Sequence, residues 1–150
     1  MIIDTSAIVA VLMDETECGI FSQILADETA LAMSAVTFHE ASIVMAGKKK
    51  HPDAARLVDE LVRELEIEVA AATAEDSLGA REAYFRFGRG YHRAGLNLAD
   101  CFVYALAKSR GEPLLFKGDD FRKPTSCRLG SLSAEQIRTC SNLAAGRARP

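Results

Sequence analysis

Four places in the sequence set carboxylates at the ends of apolar runs or in a first helical turn: Asp4, Glu40, Asp100 and the adjacent pair Asp119 and Asp120. Each has an ordinary structural reading. Asp4 can cap a helix, and Glu40 and Asp100 can answer helix N-termini as capping-box acids. Gly118-Asp119-Asp120 is a common turn sequence. Drawn together, these acids would repel one another and require a cation. Oxygen-only donors select Mg²⁺ or Mn²⁺ over zinc. Such ions bind phosphate, orient water and stabilise an in-line displacement. That is nuclease chemistry, and it needs no serine, cysteine or histidine nucleophile. A phosphatase or a DNA exonuclease would share it.

The elements that must position these acids alternate between strand and helix. Met1-Ile2-Ile3 reads as a buried strand, with Asp4-Thr5-Ser6 at its carboxyl end and an apolar helix from Ala7. Open α/β sheets place their ligands at that edge. A second helix is expected over 14–26, its acids near the start where the helix dipole favours them. A strand follows at 30–33. The third helix begins at Ser34 or Thr37, and Thr37 to Glu40 matches a capping box. Lys48-Lys49-Lys50 suits that helix's C-terminus or a phosphate contact. A helix over 52–65, a strand over 67–70 and a helix over 74–87 come next.

The helix from Asn97 to Ala107 is apolar almost all round, with Asp100 one turn in. A lone buried carboxylate is costly unless it is paired. Either a cation or the cap at Asn97 answers it. After a buried strand at 113–116 the hydrophobic pattern fades. A weak helix is expected over 131–143, and a disordered basic tail over 144–150. The result is an α/β fold with a central, mainly parallel sheet flanked by helices.

At 150 residues, 49% hydrophobic and 26% charged, the chain can bury one sizeable core and is not disordered. No apolar run approaches a membrane span. The first residues do not resemble a secretory signal. Cys18, Cys101, Cys127 and Cys140 form no CxxC pair. They fit reduced thiols and a cytoplasmic protein. A net charge of −3 exerts no global pull on nucleic acid. Locally, however, Arg81, Arg86, Arg89 and Arg93 interleave with Tyr84, Phe85, Phe87 and Tyr91. That mixture can grip and stack single-stranded RNA, with Arg86, Arg89 and Arg93 as contact candidates.

The motifs Met1-Ile2-Ile3-Asp4-Thr5-Ser6-Ala7, Glu40 in the third helix, the run from Gly90 to Phe102 containing Ala94-Gly95-Leu96-Asn97-Leu98-Ala99-Asp100-Cys101, and Leu114 to Phe121 occur in an informative order. Together they resemble the PIN-domain ribonucleases, specifically the VapC toxins of toxin–antitoxin pairs, over residues 1 to about 125. The resemblance implies a PIN-like nuclease domain over 1–125 and an atypical extension over 126–150. It implies an Mg²⁺- or Mn²⁺-dependent endoribonuclease in which a metal-held water attacks RNA, leaving a 5′-phosphate and a 3′-hydroxyl. Asp4 and Asp100 become the main metal ligands, Glu40 completes the site, and Ser6 supports it by hydrogen bonding. Asp119, or its neighbour Asp120, becomes the fourth acid; Lys117 stands where many relatives carry a threonine. The resemblance also implies a homodimer and a VapB-like antitoxin that threads a basic side chain into the acidic site. The competing reading is a catalytically silent PIN-like module that binds RNA or protein.

Overall fold

The computed structural model describes residues 1–118 and the backbone of 137–138. The elements in chain order are β1 (Ile2–Ile3), α1 (Thr5–Leu12), α2 (Cys18–Asp27), β2 (Ala32–Ser34), α3 (Ala35–Lys49), a 3-10 turn (Pro52–Ala55), α4 (Arg56–Glu64), β3 (Glu68–Ala70), α5 (Ala74–Phe87), α6 (Leu98–Arg110), β4 (Leu114–Leu115) and β5 (Ile137–Arg138). The strands form one parallel sheet in the order β3-β2-β1-β4-β5.

Both faces of this sheet are covered, which explains the uninterrupted apolar strands. Neighbouring residues of β1 point to opposite sides. Ile2 joins a core with Phe87, Leu96, Val103, Leu114 and Phe116, beneath α5 and α6. Ile3 joins a second core with Ile8, Phe21, Met33, Met45, Val58 and Leu115, beneath α1 to α4. Each fully buried Ile, Leu or Phe contributes roughly 1.5–3 kcal/mol of hydrophobic stabilisation.

Chain order sets the ligand-binding edge. From β1 the chain moves outward through β2 to β3, then returns to place β4 on the other side of β1. The order therefore reverses between β1 and β4, and a crevice opens beyond their carboxyl ends. Asp4 follows β1 directly, and its backbone N–H donates to Leu115 O at 3.0 Å, carrying the ladder to that edge.

Three sequence expectations change. The second helix starts at Cys18 rather than residue 14, so its acids lie in the preceding turn. The helix expected across 131–143 is interrupted by β5, where Ile137 and Arg138 pair with Leu114 and Leu115. An uncovered β4 edge offers unpaired backbone groups, and a β-branched residue suits that pairing. Leu98, counted with the buried face of its helix, is 70% exposed at the first helical position. The tail over 144–150 lies outside the described residues.

Candidate active site

The crevice is a cleft of about 340 Å³ lined by Asp4, Thr5, Ser6, Val9, Glu15, Glu40, Val44, Lys48, Asn97, Asp100 and Lys117. Three of the expected acids thus meet in one place. They arrive from the end of β1, the second turn of α3 and the first turn of α6.

Asp4 is the N-cap of α1 and is only 4% exposed. Its Oδ2 accepts from the Ser6 backbone N–H at 2.9 Å and from the Ser6 hydroxyl. Its Oδ1 is buried and meets no hydrogen-bond partner among the described residues. Burial raises the carboxyl pKa above its ordinary value, and the charge of Glu40 adds to that rise. The two Ser6 hydrogen bonds, and to a smaller extent the Thr5 backbone N–H, oppose it by favouring the ionised form. Ser6 in turn accepts the Lys117 backbone N–H at 2.9 Å, joining the ends of β1 and β4 across the cleft floor.

Glu40 does not serve as a capping-box acid. Helix α3 starts one turn earlier than a cap at Thr37 would require, with Ser34 as its N-cap accepting from Val36 N–H at 3.2 Å. Thr37 is buried inside the helix. Glu40 instead accepts the Thr5 hydroxyl through Oε2 and the Asn97 amide through Oε1 at 3.5 Å.

The capping expectation for Asp100 holds. Its backbone N–H donates to Asn97 Oδ1 at 2.9 Å, and its Oδ2 accepts the Asn97 backbone N–H at 2.7 Å, closing a capping box. The same carboxylate lines the cleft. Burial of the Cys101 thiol, and to a smaller extent the Asp100 charge beside it, pushes its pKa up to about 11. A thiol with so high a pKa is a poor nucleophile, as the acid-only chemistry expects.

Among the described residues, no group of three or more His, Cys, Asp or Glu side chains stands close enough together to hold a metal ion. The donor set nevertheless fits a hard cation. It is all oxygen, and the unpartnered Asp4 Oδ1 is a buried acceptor that calls for positive charge. Mg²⁺ takes one or two carboxylates and fills its remaining positions with water and phosphate, so an open site suits it.

Asp119 and Asp120 lie outside the described residues. Arg86, Arg89 and Arg93 are exposed on the end of α5 and the connection after it, and none lines the cleft. The Arg86 guanidinium lies 5.2 Å from the Phe87 ring centroid. Exposed Tyr84, Phe85 and Tyr91 pack edge to face beside them, with centroids 5.4–6.3 Å apart. Gly88 is required where this connection begins, because a Cβ there would stand 2.5 Å from Tyr84 O.

Sequence reasoning missed Glu15 and Glu17, reading them as dipole-facing acids. Lys117 Nζ pairs with Glu15 at 2.8 Å and with Glu17 at 2.7 Å, while Lys48 Nζ reaches Glu15 at 3.5 Å. The one available signal was Lys117 itself, a cation directly after the apolar run that ends at Phe116.

The PIN domain family model matches residues 1–125. The chain belongs to the PIN-domain family. Its curated relatives narrow that to the VapC ribonucleases. A Ribonuclease VapC of Mycolicibacterium smegmatis is 43% identical over 122 residues, covering 81% of this chain and 94% of that protein. Ribonuclease VapC28 of Mycobacterium tuberculosis is 45% identical over 122 residues, covering 81% and 91%. The fold is shared with Mycobacterium tuberculosis VapC20, a sarcin-ricin-loop-cleaving toxin (TM-score 0.62, 17% identity, covering 75% of this chain and 85% of that one). It is also shared with a toxin–antitoxin complex from Klebsiella pneumoniae (TM-score 0.62, 15% identity, covering 93% and 96%). PIN-domain VapC ribonucleases depend on a divalent metal, consistent with the donor set in the cleft. No described helix is long and apolar enough to cross a membrane.

Proposed function

We propose that this VapC-family chain is the toxin of a toxin–antitoxin pair and cleaves RNA in the cleft beyond β1 and β4. The observation that carries this reading is the buried Asp4, its Oδ1 unpartnered among the described residues, facing the same cleft as Glu40 and Asp100.

Asp4 and Asp100 would hold Mg²⁺ or Mn²⁺, with Glu40 completing the acidic site and Asp119 or Asp120 adding a fourth carboxylate. When bound, the ion supplies Lewis-acid charge for a phosphoryl oxygen and lowers the pKa of a water. The chain's own residues do the positioning. Ser6 orients Asp4 through two hydrogen bonds that favour its ionised form against the effect of burial. Thr5 and Asn97 hold Glu40, and Asn97 also fixes Asp100. Arg86, Arg89 and Arg93, with Tyr84, Phe85 and Tyr91, contact the RNA outside the cleft. Residues 81–93 carry four arginines and one glutamate, a charge of 4 − 1 = +3, against −3 for the whole chain. That local excess favours a polyanion.

The nuclease domain spans 1–125, and the extension over 126–150 adds β5 to the edge of its sheet. The protein acts in the cytoplasm as a homodimer. Its VapB-like antitoxin inhibits it by placing a basic side chain among the carboxylates, where a guanidinium can substitute for the cation.

The test is cleavage of total RNA by the purified protein with Mg²⁺, Mn²⁺ or EDTA, beside Asp100→Asn. Discrete metal-dependent fragments that the variant does not produce support the reading. Identical behaviour of both proteins in every condition overturns it in favour of a silent binding module.

A further inference from the structure

We propose that Lys117 and Lys48 form a phosphate-binding end of the cleft, held by Glu15 and Glu17 until a phosphate of the RNA chain takes the carboxylates' place. The proposal rests on the nuclease reading above and adds how that site admits its polyanionic substrate.

The difficulty to be met is electrostatic. Among the described residues, Asp4, Glu15, Glu40 and Asp100 line the cleft against Lys48 and Lys117, a formal charge of −4 + 2 = −2. A phosphodiester chain approaching that surface is repelled unless cations are presented to it. Lys48 and Lys117 are the cations lining the cleft among the described residues.

Their geometry suits presentation. The Lys117 backbone N–H donates to Ser6 Oγ at 2.9 Å, and Ser6 donates to Asp4, so Lys117 is anchored one serine away from the central acid. Its side chain turns instead toward the α1–α2 connection, where Nζ sits between Glu15 and Glu17. Glu15 is shared between Lys117 and Lys48. These pairs are partly open to solvent: the Lys117 and Lys48 side chains are 34% and 43% exposed, and those of Glu15 and Glu17 are 27% and 26%. Pairs that water reaches are weaker than buried ones and can exchange partners. A lysine ammonium on a flexible stem can turn to a new acceptor without moving its backbone.

A purely structural role is the alternative, in which the ion pairs tie the α1–α2 connection to the end of β4. The two roles differ in what removing an acid does. If Glu15 only ties the turn, Glu15→Gln weakens the fold and leaves RNA affinity alone. If Glu15 holds back phosphate-binding lysines, Glu15→Gln tightens RNA binding, and the gain requires Lys117.

The experiment measures binding of a fluorescein-labelled, mixed-sequence single-stranded RNA across a salt series. It uses the full chain carrying Asp100→Asn, with Mg²⁺ present so that RNA is bound without being cut. Lys117→Met is expected to weaken binding about tenfold and to reduce the slope of log K against log salt by roughly 0.7, the loss of one phosphate contact on a single strand. Lys117→Arg should retain the slope. Glu15→Gln should tighten binding in the presence of Lys117 and have no effect in Lys117→Met. Unchanged affinity and slope in Lys117→Met overturn the proposal, as does a Glu15→Gln gain that persists without Lys117. Should Lys117→Met fail to fold, the Glu15→Gln arm repeated in Lys117→Gln decides by the same criterion. Metal-dependent cleavage by the unmodified protein is measured in parallel. Its absence defeats the nuclease reading, whereas its presence with an inert Lys117 defeats this proposal alone.

Discussion

Thr73 and Asp76 close the start of α5 with the same reciprocal hydrogen bonds that Asn97 and Asp100 use at α6. At α5, Asp76 N–H donates to Thr73 Oγ1 at 3.1 Å and Thr73 N–H donates to Asp76 Oδ2 at 2.9 Å. At α6 the corresponding distances are 2.9 and 2.7 Å. The two boxes share this reciprocal pair, and Thr73 adds a hydroxyl bond to Asp76 Oδ2 at 2.6 Å. They differ in what the helix start faces. Thr73 and Asp76 are absent from the cleft lining, whereas Asn97 and Asp100 belong to it, and Asn97 also reaches Glu40. Capping a helix and lining a cleft are therefore not rival roles for an acid in a first helical turn. One oxygen can satisfy the helix while the carboxylate as a whole serves a site.

Removing charge while keeping the cap should separate α5 from α6 most widely. Asp100→Asn retains an oxygen for the Asn97 N–H, so the fold should survive. Its RNA cleavage should fall on the order of a thousandfold, the several kcal/mol that a positioned metal contributes. Asp76→Asn should cleave at the unmodified rate in the same assay. Equal losses in both variants would show that the α6 box is structural only.

A second test asks whether the cleft acids are strained without a cation. Asp4→Asn removes a buried, repelled carboxylate and should stabilise the protein by about 1 kcal/mol in urea unfolding with EDTA. Added Mg²⁺ should stabilise the unmodified protein and leave the variant unchanged. A destabilised variant in EDTA would mean that Ser6's hydrogen bonds to an ionised Asp4 outweigh its burial.

Deleting the caps sharpens the comparison further. Asp76→Ala and Asp100→Ala should each cost about 1 kcal/mol of stability, the usual worth of a cap. Thermal melts of the two variants should therefore nearly coincide, while cleavage assays separate them completely.

The smallest effect is in pH. Hydrogen bonds from Thr73, first its hydroxyl and then its backbone N–H, hold the Asp76 carboxyl below its ordinary value of 3.8. A depressed folded-state pKa gives stability that is present above 3.8 and is lost as pH falls through the folded value. Asp76→Asn should flatten this acid limb by about a few tenths of a kcal/mol, after discounting for solvent screening. Unfolding midpoints compared between pH 4.5 and pH 3, about one unit to either side of the ordinary aspartate value, provide the check.

Much of this was legible because it is local. The Asn97 cap, the apolar run behind it and Asp4 after two β-branched residues are all settled within a few positions. The Thr37–Glu40 motif misled for the same reason: it matches a capping box locally, but Ser34 starts the helix a turn earlier. The acids of the α1–α2 connection misled too. Their partner Lys117 lies 102 positions from Glu15, and no short-range pattern can report it.

The sequence alone determined the alternation of strands and helices, the oxygen-rich donor set and the family, because these follow from side-chain type and spacing along the chain. Only the tertiary structure decided which acids share a cleft, that Asp100 both caps and faces it, and that two lysines stand beside the carboxylates. Those facts depend on the return of the chain to place β4 against β1. That crossover is driven by burying both faces of the sheet, and it brings distant residues to one edge whatever their separation in sequence.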